Sequence, residues 1–264
     1  MGWEDVTPSE AVENADWFGP RLHPFKAYDV GAVVPTGFAA YARILHPAFT
    51  REREVRWSEV AAWSGRVIHP EVQFHTLVPS RPRNEPGTEP FVFPPRNGVL
   101  PEPQVRALAA LLARHTSARG NCWFCLWDGY GYFDARPFVR AYFYKDSWVG
   151  RLTRWRNEHV RVSIRKPKTR RVPGRRVTPN PQRSYLLFRG PITKAAGWED
   201  GPNIWWPDDR AWCVASEIDF AYTYVGGSKE LIEKILHHPA LEALTSDVSD
   251  GITYDSDKVN EPTR

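Results

Sequence analysis

Cysteine is scarce: three residues in 264, an odd number, which excludes a disulfide-stapled scaffold and leaves free thiols as the expectation. No run of eighteen apolar residues occurs, so no membrane-spanning helix is expected. The opening Met1-Gly2-Trp3-Glu4-Asp5-Val6 has no basic segment followed by an apolar one, which predicts no secretory leader. Val6 stands where an N-myristoylation signal needs Ser or Thr. A cytoplasmic protein without a membrane role is the expectation. Lysine is also rare, with 8 among the 35 basic residues and 27 Arg. GC-rich coding produces that bias unaided, so arginine abundance carries little functional weight.

Aromatics are plentiful. Twelve Trp, 13 Phe and 10 Tyr in a chain that is 42% hydrophobic exclude a disordered protein. A chain of this length buries roughly 70–75% of its unfolded surface, ample for a core. Charge is uneven. Between Arg151 and Arg183 twelve Arg or Lys face a single acid, Glu158, so a segment of +11 sits in a chain of +4 and leaves −7 elsewhere. A basic segment on an acidic body is the picture.

Residues 203–228 organise the chain. From Trp212 the even positions Val214, Ser216, Ile218, Phe220, Tyr222 and Tyr224 alternate with Glu217, Asp219 and smaller residues, a period of two that predicts extended chain with an aromatic face. Fourteen residues exceed most strands, so a bulge or break is expected near Asp219 to Ala221. Further strands are predicted at Phe38–Leu45, His69–Thr76, Asn121–Trp127, Arg140–Tyr144, Val160–Ile164 and Ser184–Arg189. Helices are predicted at Arg56–Ser64, stopped by Gly65, at Gln104–His115, at Ser228–Leu236 and from Pro239. Adjacent strands favour hairpins. The expected fold is α+β, a single compact domain with a largely antiparallel sheet and three to five helices. An irregular arm spans 1–36, the globular part 37–246 and an acidic, solvated tail 247–264. Residues 79–103, with eight prolines, read as a long surface connection that could separate two lobes, and 166–183 as a basic loop closing a hairpin between Val160–Ile164 and Ser184–Arg189.

Several strings, Tyr41-Ala-Arg-Ile-Leu-His-Pro47, His69-Pro-Glu-Val-Gln-Phe74, Cys122-Trp-Phe-Cys-Leu-Trp-Asp-Gly-Tyr-Gly131, Ser184-Tyr-Leu-Leu-Phe-Arg-Gly-Pro191 and Ile204-Trp-Trp-Pro-Asp-Asp-Arg-Ala-Trp-Cys-Val-Ala215, resemble a family of uncharacterised actinobacterial proteins. The resemblance implies a soluble intracellular protein of a high-GC bacterium and carries over no catalytic or binding residue.

Four patterns bear on chemistry. Trp205 and Trp206, adjacent and so pointing opposite ways in extended chain, are expected to place one ring at the surface of an aromatic and acidic cleft with Asp208, Asp209, Arg210, Glu217 and Asp219. His69, Glu71 and His75, the polar side of a predicted strand, would complete an acid/base set there. Asp208, Asp209, Glu217 and Asp219 form a candidate oxygen-ligand site for Mg²⁺ or Mn²⁺, the one cofactor a hydrolase reading requires; the plainer reading pairs Asp208 or Asp209 with Arg210 and leaves Glu217 and Asp219 in water. Arg161, Arg165, Lys166, Lys168, Arg170, Arg171, Arg175 and Arg176 are candidate phosphate contacts for nonspecific nucleic-acid binding, although Trp155 is the only aromatic among them; the plainer reading is a solvated loop or docking to the acidic body. Val225-Gly226-Gly227-Ser228-Lys229 lacks the dinucleotide and Walker spacings, so Ser228 reads as a helix cap. Cys122 and Cys125, three apart in a strand, face opposite sides and read as buried structural thiols. The leading reading is a cytoplasmic module binding a small ligand or a protein in the cleft, with the metal-dependent hydrolase and the nucleic-acid binder as alternatives.

Overall fold

The computed structural model describes residues 6–78, 89–130, 138–140, 163–165, 176–180, 183–198 and 200–260. Its centre is a nine-stranded antiparallel sheet. Along one path run β1 (Thr7–Pro8), β9 (Arg183–Gly190), β5 (Cys122–Trp127), β10 (Ile204–Pro207), β11 (Cys213–Ala215), β12 (Tyr222–Gly227), β2 (Ala40–Leu45) and β13 (Ala243–Ser246). The ninth, β8 (Arg176–Asn180), pairs with β9. Two small two-stranded sheets lie outside it, β3 (Ala48–Phe49) with β4 (Glu54–Val55), and β6 (Phe138–Arg140) with β7 (Ser163–Arg165). Among the described residues there are four α-helices: α1 (Trp57–Ser64), α2 (Phe74–Leu77), α3 (Glu102–Leu112) and α4 (Lys229–Leu236). The fold is α+β, as the patterning predicts.

The sheet is buried on both faces, which is why its strands read as apolar runs. Cys122, Phe124 and Leu126 of β5 join Ala42, Ile44, Val214 and Val225 beneath α3 and α4. The alternate residues Trp123 and Cys125 pack with Trp17, Phe18 and Trp206 under the N-terminal arm. Farther along that second face Tyr41, Leu45, Tyr222 and Tyr224 meet Trp57 and Val60 of α1. α3 presents Leu108, Leu111 and Leu112 to the sheet, and Pro103 in its first turn sacrifices no hydrogen bond because those N–H groups are orphaned anyway. α1 ends at Gly65, left-handed at φ 69°. Its free N–H groups at Trp57 and Ser58 donate to the Glu242 carboxylate at 2.7 and 2.8 Å. Ser228 caps α4 by accepting from Leu231 N–H at 3.2 Å.

Several expectations are corrected. The stretch from Trp212 does break where its length required, near Asp219 to Ala221, but the break is a full turn: β11 turns into β12 through Ser216–Ala221, with Val214 opposite Val225 and Ala215 opposite Tyr224. Even positions pair with odd ones across that turn. The aromatic face is therefore split, Trp212 lying under α3 and α4 and Tyr222 and Tyr224 on the other side. His69–Thr76 is not a strand. The Pro70 and Val72 carbonyls that a ladder would use accept instead from the buried Arg43 guanidinium at 2.5 and 2.7 Å, and α2 follows. β9 pairs with β1, with β5 and with β8, cut from the predicted basic loop; of the predicted strand Val160–Ile164, residues 160–162 lie outside the described residues, while Ser163 and Ile164 belong to β7 and pair with β6. Pro239 opens a turn rather than a helix. The Pro-rich connection supplies buried Phe91, Val99 and Leu100 and divides no lobes. The acidic tail is docked, with Ile252, Asp257 and Asn260 buried.

Candidate functional site

Trp205 and Trp206 point to opposite faces, but both are buried, 3% and 1% exposed, so neither offers a ring to solvent. The four carboxylates do not converge. Asp208 and Asp209 follow β10, at the end of β11 opposite the turn that carries Glu217 and Asp219. Asp208 accepts from Trp123 Nε1 at 2.9 Å, and Asp209 from Thr116 and Ser117 at 2.8 to 2.9 Å. Burial alone would raise the Asp209 pKa, but those hydrogen bonds outweigh it and hold the carboxyl below its ordinary range. Arg210 pairs with neither; its guanidinium lies 5.5 Å from the Trp17 ring. Glu217 and Asp219 both take Arg183 Nη2, at 2.9 Å each, and burial keeps Glu217 above the usual carboxylate range despite that cation. No group of three or more His, Cys, Asp or Glu among the described residues is arranged to hold a metal ion.

His69, Glu71 and His75 belong to a different place again: they grip the tail. His69 Nε2 meets Asp257 Oδ1 at 2.7 Å, Glu71 accepts from Gly251 N–H at 2.5 Å, and His75 stacks on Tyr254 with centroids 3.6 Å apart. Asp257 also accepts from Thr76 Oγ1 and from the N–H groups of Gln73, Val259 and Asn260. Burial opposes its charge, yet this set of donors holds its pKa well below the ordinary range. Of the basic candidates, Arg161, Lys166, Lys168, Arg170, Arg171 and Arg175 lie outside the described residues and Arg165 is placed only by its strand, β7. Arg176 meets Asp128 at 2.6 Å. With Arg183 on Glu217 and Asp219, the described cations flanking the segment are thus spent on the acidic body. The three cysteines are free and buried, Cys122 and Cys125 on opposite faces. Burial pushes the Cys122 thiol up to about 12, far from a reactive thiolate.

What the fold does assemble is a small cleft between α3, the 3₁₀ turn at Ile192–Ala195 and the sheet. Val99, Leu100, Val105, Leu108, Trp198, Trp205 and Val214 make its apolar wall, Glu102 stands at its rim, and Ser216 and Thr223 form its polar end. Its enclosed volume, about 20 Å³, holds roughly one water-sized group. Behind that polar end lies a buried chain. Ser216 Oγ is 2.7 Å from Thr223 Oγ1, which is 2.8 Å from His46 Nε2, while His46 Nδ1 is 2.8 Å from the Arg96 carbonyl. Burial lowers the His46 pKa to about 4, so the ring is neutral at pH 7. A carbonyl only accepts. Nδ1 must then carry the proton, and Nε2 accepts from Thr223. Having given its hydrogen away, Thr223 accepts from Ser216, so both hydroxyl hydrogens run inward along the chain.

The backbone fixes this end of the cleft. Ser216 N–H donates to the Asn203 carbonyl at 2.6 Å, and Asn203 is itself tied down by Cys125 O, Trp127 N–H and Tyr130 Oη at 2.8 to 2.9 Å. Gly98, at φ 75° by the rim, donates to Phe220 O at 2.8 Å, and a Cβ there would stand 2.9 Å from Ile218 Cα. A side chain is doubly excluded. Sequence reasoning missed His46, Asn203 and Thr223. His46 is separated from Thr223 by 177 positions, and a lone histidine before a proline gives no signal of its own; the readable hint was Ser216 and Thr223, two hydroxyls at the apolar positions of a stretch that otherwise alternates aromatic and small residues. Against known proteins the chain matches no family model, no curated protein and no solved structure.

Proposed function

We propose that the protein is a cytoplasmic binding module whose site is the cleft between α3 and the sheet, and that it captures the end of a small ligand there. The observation that carries this reading is the Ser216–Thr223–His46 chain opening on an otherwise apolar wall. Burying three polar groups costs free energy that a hydrophobic trio would not. Each is satisfied inside the protein by its neighbour in the chain, and Ser216 and Thr223 both line the cleft. An apolar lining with a few fixed polar atoms is the usual make-up of a small-molecule site. Compared with the broader aromatic and acidic cleft that the sequence suggests, Trp205 stays in the site, while Trp206, Asp208, Asp209, Glu217 and Asp219 leave it. Free buried cysteines fit a reducing compartment, and among the described residues no helix is long and apolar enough to cross a membrane.

The test is nuclear magnetic resonance of the labelled protein titrated with small two-carbon probes. Expected are shifts confined to Ser216, Thr223 and the Trp198 and Trp205 indoles. Val105→Phe, filling the mouth from the half-buried side of α3, should suppress them. Shifts that are absent, or that persist unchanged in Val105→Phe, overturn the reading.

A further inference from the structure

We infer that Arg21, Arg189 and Arg210, on the face of the sheet opposite the cleft, form a contact surface for the phosphates of a single-stranded nucleic acid. Arg189 of β9, Trp123 of β5 and Trp206 of β10 lie in register across the sheet. Trp17 of the N-terminal arm packs edge-on against Trp206, with ring centroids 5.8 Å apart. The arginines lie over this buried aromatic bed. The Arg189 guanidinium stands 5.2 Å from the Trp123 ring, and those of Arg21 and Arg210 each stand 5.5 Å from the Trp17 ring. The last two guanidinium groups are therefore separated by no more than twice that distance. All three residues are exposed, and the cleft, walled by Trp205 and Val214 on the other side of the sheet, takes no part.

Two observations point to an anionic partner. First, these cations are unspent. Arg176 and Arg183 are committed to Asp128, Glu217 and Asp219. Among the described residues, by contrast, Arg21, Arg189 and Arg210 join no ion pair, and the guanidinium N–H groups of Arg21 and Arg210 meet no acceptor. Arg189 donates once, from Nη2 to Asn121 Oδ1 at 3.2 Å. Asp209 is turned to Thr116 and Ser117 after α3, and Asp208 accepts from Trp123 Nε1. Even with exposed Asp16 counted beside Asp208, the cations outnumber the acids. Second, Arg210 closes the turn after β10 with its N–H on the Pro207 carbonyl at 2.9 Å, and its φ is 55°. That is the left-handed region, which suits Gly or Asn better, so what arginine adds at this position is its side chain. A guanidinium offers paired N–H groups that match two phosphate oxygens, and a plane on which an unstacked base can lie. An acidic peptide would use only the N–H groups.

The experiment is fluorescence anisotropy of a short labelled oligothymidine titrated with the full chain over a range of salt. Arg21→Gln, Arg189→Gln and Arg210→Gly should each weaken binding several-fold and each lower the log–log salt slope by about 0.7, the share of one phosphate on a single strand. Arg106→Gln, an exposed arginine of α3 paired with Glu102, should change neither. The three positions are exposed and glycine suits the backbone at 210, so the melting temperatures should stay at the wild-type value, which separates lost contact from lost fold. No binding of the oligonucleotide, or wild-type affinity and salt slope in all three variants, would overturn the assignment. So would a polyglutamate peptide that binds as tightly and responds to the same substitutions, because the surface would then read carboxylates.

Discussion

At the scale of single residues, His46 governs how the protein meets acid. Its folded pKa of about 4 lies below the ordinary value near 6.5. The unfolded chain therefore takes up the proton first. Stability owed to neutral His46 is complete above about pH 6.5 and is lost as pH falls toward 4, on the order of 3 kcal/mol in all. Denaturant midpoints at pH 7 and pH 4.5 should show that loss in the wild type. His46→Gln should be weaker at pH 7 and should flatten the difference. An unchanged pH dependence in the variant would place the acid sensitivity elsewhere. The two adjacent tryptophans make a second residue-scale test. With both rings in cores, Trp205→Ala and Trp206→Ala should each cost about 3–5 kcal/mol. A variant near wild-type stability would return that ring to the surface, where adjacency in a strand had suggested one should be. Adjacency settles that two side chains diverge; it cannot say that both faces of the sheet are covered, which depends on α3, α4 and the N-terminal arm arriving from distant parts of the chain.

At the scale of elements, the segments whose local signals agree with their packing were legible. α1 with its closing glycine, α3 with Pro103 in its first turn, α4 with its serine cap and β5 with its apolar run all stand within two or three residues of where periodicity puts them. Those decided by a remote partner were not. Residues 69–76 carry an alternating pattern that a buried arginine on β2 overrides, and the tail, polar by composition, is docked through Asp257, Gly251 and Tyr254 onto those same residues. Asp257→Ala should leave the N–H donors of Gln73, Val259 and Asn260 without this acceptor, at about 1–3 kcal/mol for each one left buried and unpaired, before relaxation. Limited proteolysis should then open residues 250–260 while the sheet survives. A variant as resistant as the wild type would mean that Glu71, Asn260 and the Tyr254 stack hold the tail without it. The same logic applies to the basic segment, which reads as a loop but supplies β8. Replacing residues 166–182 by a short turn removes β8, the Arg176–Asp128 pair and buried Val177, so it should destabilise the protein by about 1.5–3 kcal/mol, the worth of one buried aliphatic side chain. Unaltered thermal stability would show that β8 is an ornament on the sheet edge.

At the scale of the whole molecule, one sheet serves two layers. Every central strand divides its side chains between them: Phe124 up and Trp123 down on β5, Trp205 up and Trp206 down on β10, Ile44 up and Leu45 down on β2. Neither layer can come apart while the strands stay paired, because a strand that loses one face exposes the apolar run that made it a strand. Unfolding should accordingly be cooperative. Tryptophans sit in both layers, Trp198, Trp205 and Trp212 in one and Trp17, Trp57, Trp123 and Trp206 in the other, so fluorescence samples each. Fluorescence, near-ultraviolet and far-ultraviolet circular dichroism should trace one coincident denaturant transition. Amide exchange should be slowest in β5, β10 and β12, flanked by strands on both sides, and faster in β8 and β13 at the two edges. A fluorescence change that precedes loss of the sheet signal would separate the layers, and the cleft beneath α3 would then open before the sheet melts.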